Sequence, residues 1–292
     1  MGLYKTPLRY PGGKQRLTPF IAELLETNEI TGHYVEPYAG GAGVAMELLI
    51  NRKISNVHLN DSHLGIYAFW HTLINHPEEL CRKISSASMT VEEWRRQQQI
   101  VRNPTEHDLF ELGFSIFYLN RVNRSGVLSG GLIGGINQTG NYKMDARFNR
   151  NDLIRRIELI SLFKDRIHIT NLDGENYIDN YIPNLPVDTL VYLDPPYYNK
   201  ASELYLNSYK KEDHSDLALA IQNRIDHRWV LSYDGVSEIL DLYNERRHFL
   251  YDLQYTAATV QKGKEVFIFD DNIILPQRCS LPHVDVGLQH LH

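Results

Sequence analysis

The sequence predicts an α/β fold: a mostly parallel sheet with helices on both faces, closed by an antiparallel strand near the C-terminus and interrupted by a mainly helical insertion. Three observations predict it. Short β-branched and aromatic runs recur at 33–38, 56–61, 167–173, 190–194 and 229–234, each ending in polar or acidic residues. Helical patterns separate several of these runs, as a parallel sheet covered on both sides requires. Between 67 and 158 that alternation fails.

Taken in order, the run HYVEPY (33–38) is a buried strand that turns through Gly40, Gly41 and Gly43 into the apolar helix AGVAMELLI (42–50). A second strand follows at 56–61. Segments 67–74, 91–101 and 108–120 then carry helical spacing with no strand between them, which marks an insertion. The loop 123–141 that follows holds Gly126, Gly130, Gly131, Gly134, Gly135 and Gly140, a composition suited to close backbone approach rather than packing. Strands resume at 167–173, 190–194 and 229–234, with the helix SDLALAIQNR (215–224) before the last. Runs 248–255 and 265–270, joined by a polar segment containing Lys262 and Gly263, suggest the antiparallel pair. Two units result: a sheet-bearing one from 1–66 and 159–292, and an inserted one at 67–158.

With 292 residues and 42% hydrophobic content the chain can bury one sizeable core. It has no apolar stretch near the ~20 residues of a membrane helix and no charged-then-apolar leader, so a soluble cytoplasmic protein is expected, with no membrane partner. Cys81 and Cys279 are far apart, and the 13 histidines are scattered without metal-ligand spacing, so neither a disulfide framework nor a metal site is expected. A net charge of −6 weighs against nonspecific coating of nucleic acid. Locally, however, nine Lys and Arg face four acids between Arg121 and Arg166, so the middle of the chain is basic.

The sharpest motif is Asp194-Pro195-Pro196-Tyr197, directly after the apolar strand. Two prolines deny the chain further ladder donors and hold it extended, so an acid and an aromatic ring are presented rigidly at a strand end. Such a site suits a planar amine. Asp194 can accept one amine proton and the Pro195 carbonyl the other while Tyr197 stacks on the ring, giving contacts that strengthen as positive charge develops on nitrogen. A plain strand terminator is the alternative reading.

The glycine turn Tyr38-Ala39-Gly40-Gly41 opens a helix N-terminus to close approach by a ligand, although an ordinary βα connection has the same pattern. Asp61 ends the next strand, where a carboxylate can accept from both ribose hydroxyls of an adenosine ligand or simply cap a helix. Near the N-terminus, Leu8-Arg9-Tyr10-Pro11-Gly12-Gly13-Lys14 places Tyr10 where it could face an adenine or methionine moiety and Lys14 where it could reach a carboxylate. A surface turn with a solvated lysine reads equally well.

Together, Arg9 to Lys14, Glu36-Pro37-Tyr38-Ala39-Gly40-Gly41 and Asp194-Pro195-Pro196-Tyr197 resemble, in content and order, the motif set of the Dam-like, alpha-group DNA adenine-N6 methyltransferases. The resemblance covers nearly the whole chain. It implies a Rossmann-like class I methyltransferase sheet with 67–158 as the target-recognition domain. It also implies S-adenosylmethionine held at Tyr10, Lys14, Glu36, Pro37, Tyr38, Gly40, Asp61 and Asp173, and a flipped adenine of double-stranded DNA at Asp194, Pro195, Pro196 and Tyr197. Asn120, Arg121, Asn123, Arg124, Lys143 and Arg147 are the implied or candidate DNA contacts. A partner restriction nuclease is compatible with the family.

Two departures stand out. Ala42 occupies the place of a motif glycine, and Arg124-Ser125 stands where an aromatic-Asn pair is common, so the recognised DNA sequence does not carry over. No metal is called for, because a sulfonium already activates the methyl group. Rival readings are an RNA or protein-amide N-methyltransferase, a catalytically silent DNA-binding relative and a nicotinamide dehydrogenase; the last lacks a clean Gly-x-Gly-x-x-Gly.

Overall fold

A computed structural model describes residues 5–9, 14–198, 210–256 and 260–276. Seven strands form one sheet in the order β3-β2-β1-β4-β5-β7-β6. They are β1 (His33–Glu36), β2 (Asn56–Asn60), β3 (Ile167–Thr170), β4 (Thr189–Leu193), β5 (Arg228–Asp234), β6 (His248–Thr256) and β7 (Val260–Phe269). The first five run parallel, and β7 pairs antiparallel with both β5 and β6. The expected mostly parallel sheet with an antiparallel end is therefore present. Because β1 lies between β2 and β4, the chain reverses its winding at the carboxyl end of β1, which is where open α/β sheets bind ligands.

Ten α-helices accompany the sheet among the described residues: α1 (Thr18–Thr27), α2 (Gly43–Ile50), α3 (Leu64–Asn75), α4 (Pro77–Ser86), α5 (Val91–Arg102), α6 (Leu109–Val122), α7 (Arg150–Ser161), α8 (Gly174–Asn180), α9 (Lys211–Arg224) and α10 (Ser237–Leu242). One sheet face packs Phe20 of α1 against Phe249, Phe267 and Phe269. The other buries Val35, Val191, Leu231 and Ile268 under Ile178, Leu217, Ile221 and Ile239. Apolar packing on the first face continues without a break into the helices between β2 and β3, through Phe69, Trp70, Phe117, Leu153 and Ile157.

Local chemistry sets the boundaries of those helices. Thr90, Asp108 and Asn149 cap α5, α6 and α7 by accepting from main-chain N–H groups three residues on, at 3.2, 2.8 and 3.1 Å. His63 Nδ1 accepts from Gly65 N–H at 3.1 Å, which starts α3 at Leu64, earlier than the expected 67. Gly113 lets α6 close on α3, since a Cβ there would meet the Ala68 carbonyl at 2.5 Å. One expectation is corrected: Lys262 and Gly263 lie inside β7, opposite Gln254 and Leu253, and not in the connection between strands. Ladder bonds are made by the main chain, so a polar stretch can continue a strand.

Candidate active site and nucleic-acid interface

The polar residues at the sheet's ligand-binding edge continue rows that are apolar or aromatic deeper in the core. On one face, Tyr34 is followed two residues on by Glu36, Tyr192 by Asp194 and Val230 by Ser232, while Phe267 is preceded by Glu265. Side chains two apart share a face, so these four polar groups gather at one end.

Asp194 directly follows β4, and its Oδ1 accepts from Ser232 Oγ at 2.8 Å and meets Lys14 Nζ at 3.3 Å. A quarter of its side chain, 25%, stays exposed. Burial, followed in size by the opposing pull of Lys14, leaves its carboxyl pushed up to about 6. Tyr192 OH in turn bonds Ser232 Oγ at 2.8 Å, which fixes the hydroxyl that holds Asp194. Pro195 is buried, as two prolines after an apolar strand suggest.

Lys14 reaches a carboxylate, as expected, and is not the solvated lysine of a surface turn. Its side chain is buried beside the Asp194 motif, donating to Glu265 Oε2 at 2.7 Å and to the hydroxyl of Tyr197. Tyr197 OH also donates to Glu265 Oε1, and Tyr251 OH donates to Oε2 at 2.6 Å. With only 7% of its surface exposed, Tyr197 shows little ring face, and what the geometry supports directly is an anchor for the turn.

The glycine turn and the end of β2 form a second group beside the first. Gly40 N–H donates to Asp61 Oδ2 at 2.9 Å, and His63 N–H donates to Oδ1 at 2.9 Å. Trp70 Nε1 holds the turn from α3 by donating to the Gly40 carbonyl at 3.0 Å. Ala42, with φ 43 and ψ 39, adopts the left-handed conformation that a glycine would take without strain. Glu36 is buried, accepting from Ala45 N–H at 3.2 Å at the start of α2, and burial pushes its carboxyl up to about 8. The Pro37 carbonyl accepts from Asn60 at 3.1 Å, and Tyr38 is half-buried. Ala39, Asp61, Tyr67 and Trp70, among others, pack around a narrow crevice here that leaves no room for a water molecule. Asp173 is exposed and caps α8 through Asn176 N–H at 2.9 Å. Tyr10 lies outside the described residues.

The expected DNA contacts divide into two sets. Asn120 is buried, accepting from Arg9 N–H and donating to the Arg9 carbonyl, both at 2.7 Å, and to the Gly126 carbonyl at 2.9 Å. Asn123 is buried too, accepting from Trp94 Nε1 at 2.8 Å and donating to the carbonyls of Val127 and Leu128. Arg121 is 8% exposed and donates to the carbonyls of Arg147 and Pro7. These three face inward and shape the surface, because their polar atoms are spent on main chain and, for the Asn123 oxygen, on the Trp94 indole. Arg124, Lys143 and Arg147 are exposed, though Lys143 Nζ also ties the glycine-rich loop through the carbonyls of Gln138 and Gly140. Arg9 was not among the expected contacts, yet it is half-buried beside them, and burial with repulsion from Arg147 lowers its guanidinium. Burial, Arg9 and Arg156 together push Arg121 down to about 9. So much like charge favours an anion partner.

Residues 10–258 match the sequence model of the D12 class N6 adenine-specific DNA methyltransferases. The chain belongs to this family. It is therefore an adenine-specific DNA methyltransferase, and the motif order carried that reading correctly. The type II methyltransferase M.CviBI of Paramecium bursaria Chlorella virus NC1A is 23% identical over 252 residues, covering 86% of this chain and 91% of the relative. M.MjaIII of Methanocaldococcus jannaschii, also a type II methyltransferase, is 25% identical over 225 residues, covering 72% and 74%. Among solved structures, the rRNA methyltransferase aviRa of Streptomyces viridochromogenes overlays with a TM-score of 0.40 at 10% identity, covering 92% of this chain and 90% of that one.

Sequence reasoning did not single out Ser232, Asn60 or Glu265 in this D12-class enzyme. The signal for each was a polar residue embedded in or abutting a strand that is otherwise apolar, as in WVLSYD and KEVFIF. Asn60 joins three strand ends, donating to the carbonyls of Pro37 and Leu172 and accepting from Leu172 N–H and the Thr170 hydroxyl. Among the described residues no cluster of His, Cys, Asp or Glu could hold a metal ion, and no helix is long and apolar enough to cross a membrane.

Proposed function

We propose that this enzyme methylates the N6 amine of an adenine extruded from double-stranded DNA at a specific site, with Asp194 receiving the amine and S-adenosylmethionine as donor. The observation that carries the proposal is the position of Asp194. It is tethered through one oxygen by Ser232 and Lys14, partly exposed, and set at the carboxyl edge where the sheet reverses its winding.

The residues at the edge fit the donor. Asp61 ends β2 and fixes the glycine turn through Gly40 N–H, the place in such a sheet where a carboxylate meets ribose hydroxyls, and the left-handed backbone at Gly40 and Ala42 carries the chain tightly into α2. Asp61, Gly40, Pro37 and Tyr38 would hold the nucleoside part, with Glu36 supporting the turn from beneath. Tyr10 and Asp173 are assigned with them on family resemblance. S-adenosylmethionine supplies a methyl group activated by its sulfonium.

The protein's own work is orientation. The adenine N6 lone pair is delocalised into the ring, and a site that holds both N6 protons favours the pyramidal nitrogen on which positive charge develops. Asp194 accepts one of these protons and the Pro195 carbonyl the other. A carboxylate titrating at about 6 is far too weak to ionise an aromatic amine beforehand, so Asp194 stabilises charge and takes up a proton only as it is released. Extruding the base costs on the order of a few kcal/mol. Phosphate contacts from Arg124 and Arg147 of 67–158, joined by Arg9 from the N-terminal segment, offset it, and 67–158 is the target-recognition unit in this reading.

The test is transfer of a labelled methyl group from S-adenosylmethionine to DNA, RNA and protein in parallel. Label is expected in DNA alone, and none with Asp194→Ala. Label in RNA or protein with unlabelled DNA would overturn the proposal.

A further inference from the structure

We infer that Glu265, on the antiparallel strand β7, is a positioning residue for methyl transfer: it shares the charge of Lys14 with Asp194 and so keeps the Asp194 carboxylate available to the substrate amine. The inference rests on the role of Asp194 proposed above.

Glu265 is 1% exposed, yet it is a carboxylate. Burying a charge is costly unless it is compensated, and the compensation here is dense: Lys14 Nζ at 2.7 Å, Tyr251 OH at 2.6 Å and the hydroxyl of Tyr197. These partners hold its carboxyl below the ordinary range despite burial, so Glu265 is anionic. Lys14 thus stands between two carboxylates, nearer to Glu265 than to Asp194, which it meets at 3.3 Å. A lone ammonium beside Asp194 would form a closed pair and cancel the negative field that a developing cation needs. With Glu265 present the three groups carry one net negative charge, and it lies toward the exposed end, at Asp194. The same residue pins Tyr197, and with it the end of the rigid turn that carries Asp194.

The charged and titratable groups facing Asp194 come from several elements. They are Lys14 before α1, Tyr34 and Glu36 on β1, Tyr192 on β4, Tyr251 on β6 and Glu265 on β7, with Ser232 of β5 donating a hydrogen bond. Burial raises its carboxyl and Glu265 adds to that, while Lys14 and Ser232 lower it; burial and, in turn, Asp194 raise Glu36. Removing the charge of Glu265 both ends one repulsion and frees Lys14 to pair fully with Asp194. Both effects move the Asp194 titration downward.

The test uses full-length enzyme, S-adenosylmethionine and unmethylated bacterial DNA, with kcat and KM measured from pH 5 to pH 9, roughly the span over which such groups titrate. Glu265→Gln keeps shape and removes charge. It is expected to lower kcat about 10-fold or more, with cofactor KM changed less than about 3-fold, and to shift the acidic limb of kcat down by about one pH unit. Glu265→Asp keeps the charge and should retain more activity than Gln; a purely structural residue would show the reverse, because Gln fills the space and Asp does not. Lys14→Met with Glu265→Gln should be no worse than Lys14→Met alone. An inactive Asp194→Ala beside an E265Q limb at the wild-type position would overturn the inference. An active Asp194→Ala would overturn the reading beneath it instead. Should E265Q not fold, Glu265→Met, which also removes the charge at similar volume, decides: an acidic limb below wild type supports the inference, and a limb at the wild-type position contradicts it.

Discussion

Ser232 Oγ donates to Asp194 Oδ1 at 2.8 Å, the same oxygen that Lys14 faces at 3.3 Å. Two adjacent parallel strands are thereby joined at their carboxyl ends by one charge-assisted bond, and the hydroxyl is held in turn by Tyr192. That bond lowers the Asp194 carboxyl against the upward push of burial.

Activity should therefore need Asp194 ionised and fall as pH drops through about 6. Ser232→Ala removes a stabilising donor, so the acidic limb should move upward, and kcat at neutral pH should fall about 10-fold, as expected for a hydrogen bond to a charged group worth roughly 1.5 kcal/mol. A pH profile of kcat for both proteins checks this; an unmoved limb would remove Ser232 from the account.

Ala42 offers a test of the glycine turn. Left-handed backbone costs a non-glycine residue roughly 1–2 kcal/mol, but the buried methyl of Ala42 returns about 0.8 kcal/mol. Ala42→Gly should therefore stay within about 1 kcal/mol of wild type, whereas Ala42→Val, branched at Cβ in a buried left-handed site, should lose about 2 kcal/mol or more. Urea unfolding of the two variants separates them, and equal stabilities would contradict the geometry.

The basic surface makes a contrast of its own. Asn123→Ala strands Trp94 Nε1 and the carbonyls of Val127 and Leu128 in the interior and should cost about 2–4 kcal/mol of stability. Arg124→Ala should change stability by less than about 0.5 kcal/mol, yet weaken DNA binding and reduce its salt slope by about one. DNA titrations at several salt concentrations, beside thermal melts, would expose any reversal of these roles.

Acid sensitivity should trace partly to His58. Burial, with His168 and His33 adding to it, lowers its ring from an ordinary 6.5 to about 3, so folding favours the neutral form. A group depressed in this way contributes stability that is complete above pH 6.5 and drains away as pH falls toward about 3. In His58→Gln the urea midpoint should decline less across that window; an identical decline would show that other groups carry the effect.

Much of this was legible in the sequence because the governing signals are local. Runs such as LVYLDPPY state a buried strand and its rigid exit together, and the order of the three motifs carried the family. Strand ends were read too long at 33–38 and 167–173, since Pro37 and Leu172 remain apolar after ladder pairing stops at Glu36 and Thr170. What stayed hidden is long-range pairing. Nothing near Lys14 announces that its partner lies 251 residues away on β7, and nothing near Asn120 reveals that Arg9 will cross it. The departure at Arg124-Ser125 gained its meaning from backbone angles: Ser125 has φ 56, a conformation that asparagine accepts more readily.

The central claim is that Asp194 serves adenine methylation in DNA. Its most direct test is to express wild type and Asp194→Ala in a host without DNA methylation and sequence the host DNA for N6-methyladenine. Modified adenines within one short context for wild type, and none for the variant, are the predicted result. Unmodified DNA from well-expressed wild-type protein, or equal modification by the variant, would contradict it.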